Sequence, residues 1–239
     1  MDPSIAAILP LPIINLSLAA LVYCHDPAKA TNRIFALFVL AISAWSFAVR
    51  LVYLYAGETS GIVWGRISFV SAGLIGTTFF ALSTVFPDQI RLPKGLRTTV
   101  MLMAGVCILL VSSTPLILTD VKSTVSKHVV AHYGPFYPVF GLYMVIALSY
   151  GGWILFWKWR TARGRSRLQL QYLWLGLVLF LGGAAMTNLI VPGLTGSSRF
   201  GLYGPYFSLF LVGLAAHAII RHRLMDMRVV VRQSITYGL

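Results

Sequence analysis

"IFALFVLAISAWSFAVRLVYLYA", residues 34–56, contains a single charged side chain, Arg50. About 20 consecutive apolar residues, rising 1.5 Å each in a helix, cross the hydrocarbon core of a bilayer. Outward from this run the pattern recurs at 4–24, 63–86, 98–118, 138–157, 170–191 and 202–220. The spacing predicts an all-α integral membrane protein, a seven-transmembrane helix bundle. Hydrophobic residues make up 58% of the chain and charged residues 10%, too little polar surface for a water-soluble domain. The runs are long rather than short and alternating, so they do not describe a β-barrel.

"MDPSIAAILPLP" (1–12) has no Lys or Arg ahead of its apolar run, so it lacks the charged start of a secretory signal peptide. Pro10 and Pro12 are expected to bend the first helix, and Pro115 falls near the end of the fourth. "PDQIRLPKG" (87–95) and "PGLTGSSRFG" (192–201) are dense in turn residues and end their helices. The longest loop, 119–137, is too short to fold alone. Cys24 and Cys107 sit in apolar segments and make no disulfide framework.

The net charge of +13 does not point to nucleic acid here, because basic residues in a membrane protein gather on the cytoplasmic loops. Loops 25–33 and 87–97, segment 158–169 and the tail together carry fourteen Lys and Arg, and the opposite loops carry three, Lys122, Lys127 and Arg199. The N-terminus is therefore expected outside and the tail in the cytoplasm, in a plasma (inner) membrane.

No Gly-rich phosphate loop, zinc-protease pattern or nucleophile elbow is present. The six acids, Asp2, Asp26, Glu58, Asp88, Asp120 and Asp226, all avoid the interiors of the spans, so a carboxylate proton relay is not expected. No lysine is placed for a retinal Schiff base. No enzymatic activity, metal or cofactor is expected on this chain. His128 and His132 would share a face if their loop were helical, a spacing that holds a metal; ordinary loop histidines are the reading we adopt. His217, near the inner end of the last span, reads as an interfacial side chain rather than a haem ligand partnered by His25.

Two arginines interrupt the apolar runs. Arg50 precedes the outer end of the second span and Arg66 follows the outer start of the third, joined by the short "GETSG" (57–61). They are expected at comparable depth, level with Asn188, Tyr203 and Tyr206. One reading has them snorkel to headgroups or pair with Glu58. The other is a polar cavity, open to the outside, for an anionic or carboxylated amphiphile. Small residues at Ser68, Ala72 and Gly76, and at Gly176, Gly182 and Gly183, mark faces where helices approach closely.

"HYGPFYPVFGLYMVIALSYGGWILFWKWRTARGRSRLQLQYLWLGLVL" (132–179) resembles the middle of the N-terminal seven-transmembrane sensor region of bacterial and archaeal histidine kinases. Gly134, Pro135 and Phe136 match the family's start to helix five, and Gln169 or Gln171 its glutamine in helix six. Asn188 matches an outer Asn of helix six, and Phe86 and Pro87 the end of helix three. The tail "AIIRHRLMDMRVVVRQ" (218–233) is similar to the segment leading out of helix seven. The resemblance implies a receptor module that reports a stimulus to a cytoplasmic output such as a histidine kinase or diguanylate cyclase.

In that tail Ile220, Leu224, Met227 and Val231 form an apolar seam if the last helix runs on, flanked by Arg221 and Arg228. Residues 221–239 thus read as a basic linker to an output domain, with the seam pairing two copies. An interfacial elbow and a headgroup anchor are the rival readings. A small seven-helix transporter would show two similar halves, and spans 1–3 and 5–7 share no motif. A structural membrane subunit remains the third class.

Overall fold

The computed structural model describes residues 10–87, 99, 100, 103, 104, 106, 107, 114–123, 129–187 and 198–220. The long apolar runs fold as helices: α1 Pro10–His25, α2 Ala30–Leu54, α3 Thr59–Val85, α4 Tyr137–Thr161 and α5 Gly164–Ala185. Positions 99, 100, 103, 104, 106 and 107 are also helical. A 3-10 stretch, Ser198–Phe207, opens the last helix, α6, which spans Tyr203–Ile220. Among the described residues four helices, α2, α3, α4 and α6, are long and apolar enough to cross a membrane by length and composition. The helix α1 is apolar but its described part is shorter, and α5 starts among arginines.

Each connection has a local cause. Gly57 takes φ 93° in the turn from α2 to α3, a backbone conformation that disfavours a side chain. Pro138 stands in the first turn of α4, where its missing N–H costs nothing. Pro205 lies inside the 3-10 stretch, which explains why the last helix begins tightly rather than as an α-helix.

One expectation is corrected, and one condition raised from the sequence is not met. The fourth span does not reach residue 118: Thr114–Ile117 is turn, and Leu118–Ser123 is a strand, β1. Loop 119–137 is not helical around His132. It pairs β1 antiparallel with β2, Val129–Tyr133. His128 lies outside the described residues, and His132 is exposed on β2. The strands carry β-branched Thr119, Val121, Val129 and Val130, and Leu118 and Val121 of β1 are buried. It is tied down, since Gly57 N–H donates to Val121 O (3.0 Å) and Leu118 lies directly over Gly65 of α3.

The main core joins α1, α2, α3, α4, α5 and α6 through Val22, Phe38, Phe79, Leu155, Leu173 and Val212. The helix α6 is thus wrapped by its neighbours, while Trp153, Val145 and Leu142 of α4 face outward, as lipid contact requires. Across the end opposite the hairpin, Lys158 is buried at the last turn of α4. Its Nζ donates to the carbonyls of Thr84 (3.0 Å) and Phe86 (2.7 Å), which end α3. A cation on C-terminal carbonyls also complements the helix dipole. Lys158→Met is expected to lower stability by roughly 2–4 kcal/mol, because it leaves those acceptors unpaired. A thermal melt of the detergent-purified protein measures it.

Candidate functional site at the start of the last helix

The two arginines have different fates, and helix polarity explains why. Helical Cα–Cβ bonds tilt toward the helix N-terminus. The N-terminus of α2 is at the far side from the hairpin, so Arg50 leans into the bundle. The N-terminus of α3 is at the hairpin side, so Arg66 leans toward that surface. Accordingly Arg50 is only 4% exposed and Arg66 is half-buried. Arg50 therefore does not snorkel to headgroups. Nor is it paired with Glu58, whose Oε2 accepts instead from Ser60 Oγ (3.0 Å).

Among the described residues, Arg50 Nη2 is buried with no hydrogen-bond partner, and so is Arg66 Nε. The electrostatic neighbour of Arg50 is Tyr206, in the 3-10 opening of α6. Tyr203 stands beside Tyr206, ring centroids 6.2 Å apart. No hydrogen bond or ion pair among the described residues brings Arg66 to this group. Asn188 lies outside the described residues, as do Arg221, Leu224, Met227, Arg228 and Val231; Ile220 is the last residue described.

A second polar contact grips the same helix. Asn15 of α1, fully buried, donates from Nδ2 to Ser208 Oγ (3.2 Å), and its Oδ1 has no partner among the described residues. Neither residue was among the site residues expected from sequence. The available signal was an amide in the middle of the apolar run 4–24, a costly placement without a partner. Immediately between Tyr206 and Ser208, Phe207 packs onto Gly183 of α5 so closely that a Cβ there would fall 2.0 Å from its ring. Three consecutive residues of α6 are thus held by three different helices.

Above α3 and α4 the hairpin contributes an aromatic cluster. Tyr133 and Tyr137 stack at 4.1 Å, and Phe69 meets both edge-on. Partial desolvation within this cluster, with Tyr137 and Tyr53 beside it, pushes the Tyr133 hydroxyl up, although the residue as a whole stays exposed. No group of three or more His, Cys, Asp or Glu that could hold a metal occurs among the described residues. His217 sits edge-on to Tyr172, ring centroids 5.1 Å apart.

What this arrangement offers chemically is recognition: a buried guanidinium with one donor unpaired among the described residues, beside two phenols, at the first turns of one helix. A family model described as the N-terminal 7TM region of histidine kinase matches residues 9–228. No curated protein matches the chain. The match takes in every described helix, including the α6 start held by Arg50 and Asn15, and on it the chain belongs to the N-terminal 7TM region of histidine kinases, a membrane sensor region.

Proposed function

We propose that this chain crosses the plasma membrane seven times, N-terminus outside, detects an extracytoplasmic or membrane-borne stimulus, and relays it through its last helix to a cytoplasmic signalling output. The observation that carries this reading is the open Nη2 of buried Arg50 against Tyr206. An unpaired buried charge is costly, and this one abuts the helix that leads to the output. The ligand class it favours is a small carboxylated or otherwise anionic amphiphile, with Tyr203, Tyr206 and Asn188 completing the site and Arg66 at its mouth. Ligand binding would supply a partner to the Nη2 of Arg50, unpaired among the described residues, and reset how Tyr206 and Phe207 seat the start of α6.

The inner end of α6 then passes the movement to Ile220, Leu224, Met227 and Val231, which pair two copies as a homodimer. Arg221 and Arg228 lie beside that seam, where anionic headgroups hold its depth. Fusing a histidine-kinase core after Leu239 tests the reading. Kinase output is expected to follow the stimulus in the fusion and to lose that dependence in Arg50→Gln. Output that is constant in both proteins sinks the proposal. Orientation is checked separately: a fluorescent protein fused after Leu239 is expected to glow, and activity of a periplasmic reporter alone at that position contradicts the topology.

A further inference from the structure

At the end of the bundle opposite the hairpin, the α1–α2 connection, the exit of α3 and the start of α5 enclose a polar cleft of about 560 Å³, lined by Lys29, Thr31, Arg33 and Gln169 among others. A second groove, of about 440 Å³, runs between α1 and α2 on the outward surface of the bundle. Its walls are Leu16, Ala20, Tyr23, Leu37 and Leu40. Arg33 lines both cavities. One is polar and cationic at the level of the basic loops, the other is apolar at the level of acyl chains, and one guanidinium is their common edge.

We infer that this composite cavity binds one anionic glycerophospholipid, its phosphate held by Arg33 and Lys29 and one acyl chain laid in the α1–α2 groove. The charge fits. Lys29 lies 3.9 Å from Asp26 and is half exposed, while Arg33 spends one Nη2 bond on Ala28 O (3.4 Å). A guanidinium has five donors in its plane, so a further N–H edge is left for a phosphate. The shape fits too. The groove from Leu16 to Tyr23 covers eight residues, about 10 Å of helix, and alanines at 19, 20 and 36 keep its floor low. A soluble phosphate would fill the cleft and leave the groove unused.

The position makes the occupant a regulator rather than a passive neighbour. Gln169 lines the cleft and donates from Nε2 to Ala218 O (3.1 Å), and Ile219 forms part of its wall. The headgroup therefore sits against the inner end of α6, the opposite end from Arg50. This site stands whether or not the outer site binds a ligand.

The test uses the full chain in nanodiscs of dioleoylphosphatidylcholine with dioleoylphosphatidylglycerol, released for native mass spectrometry. The wild type is expected to retain one phosphatidylglycerol with about tenfold preference over phosphatidylcholine, the ratio a single charge-assisted contact supports. Arg33→Gln is expected to remove the preference. Ala20→Phe, which fills the groove and leaves the charges, is expected to lose retention of either lipid. Both positions are exposed, and unchanged melting confirms folding. Equal retention of the two lipids by the wild type, or an unchanged preference in Arg33→Gln, overturns the inference. So does full displacement of phosphatidylglycerol by millimolar glycerol 3-phosphate, which would show a free-phosphate site.

Discussion

Gly176→Ala and Gly183→Ala are each expected to destabilise the protein by roughly 2–3 kcal/mol, the cost of forcing extra volume into a packed interface, whereas Gly182→Ala is expected to be neutral or to stabilise it by up to about 1 kcal/mol. The three glycines lie within one helix, and the difference is geometric. A Cβ on Gly176 would fall 2.9 Å from Leu211 Cα and 3.1 Å from Phe210 O, backbone atoms that no rotamer change moves. A Cβ on Gly183 would fall 2.0–2.1 Å from the base of the Phe207 ring. A Cβ on Gly182 meets nothing within 4 Å, so only its better helix propensity is felt. At about 2–4 °C per kcal/mol for a chain of this size, thermal melts separate the two classes. Similar melting for all three variants would mean that α6 is not held against α5 as described. In a kinase fusion the two clashing substitutions should also shift the unstimulated output, because they lift α6 where Phe207 and Leu211 seat it.

Arg50→Met is expected to do the opposite to stability while abolishing response. Replacing an uncompensated buried charge by an apolar side chain of similar length is commonly stabilising, by about 1–4 kcal/mol. Here Nη2 has no partner among the described residues, so the ligand-free protein should melt higher, by several degrees. If Arg50 were instead a structural cation, its removal would lower the melting temperature. Arg66→Met should matter less in both assays, since the half-buried Arg66 leans toward the surface.

Sequence patterning reached the helices and not the hairpin. The apolar runs behind α2, α3, α4 and α6 were unambiguous because each is long and nearly free of charge. "ILTDVKS" (117–123) was not, because its apolar residues Ile117, Leu118 and Val121 show no two-residue alternation and follow directly on an apolar run. Arg50 and Arg66 were legible as a pair, but their separation was not drawn from the sequence, although the opposed directions of their helices carried it. The Asn15–Ser208 contact spans 193 residues, and no local pattern encodes a partner at that distance. Likewise Gly182 and Gly183 differ only in which way they face, which depends on where α6 packs.

The central claim is that the start of α6 is read out through a ligand on Arg50. Native mass spectrometry of the wild-type protein and Arg50→Met, both purified from the same membranes, tests it most directly. The account predicts a small anionic molecule carried by the wild type and absent from Arg50→Met, with the inner-face phospholipid retained by both. A wild-type protein and an Arg50→Met variant that carry the same small molecules, or none beyond lipid, would contradict it.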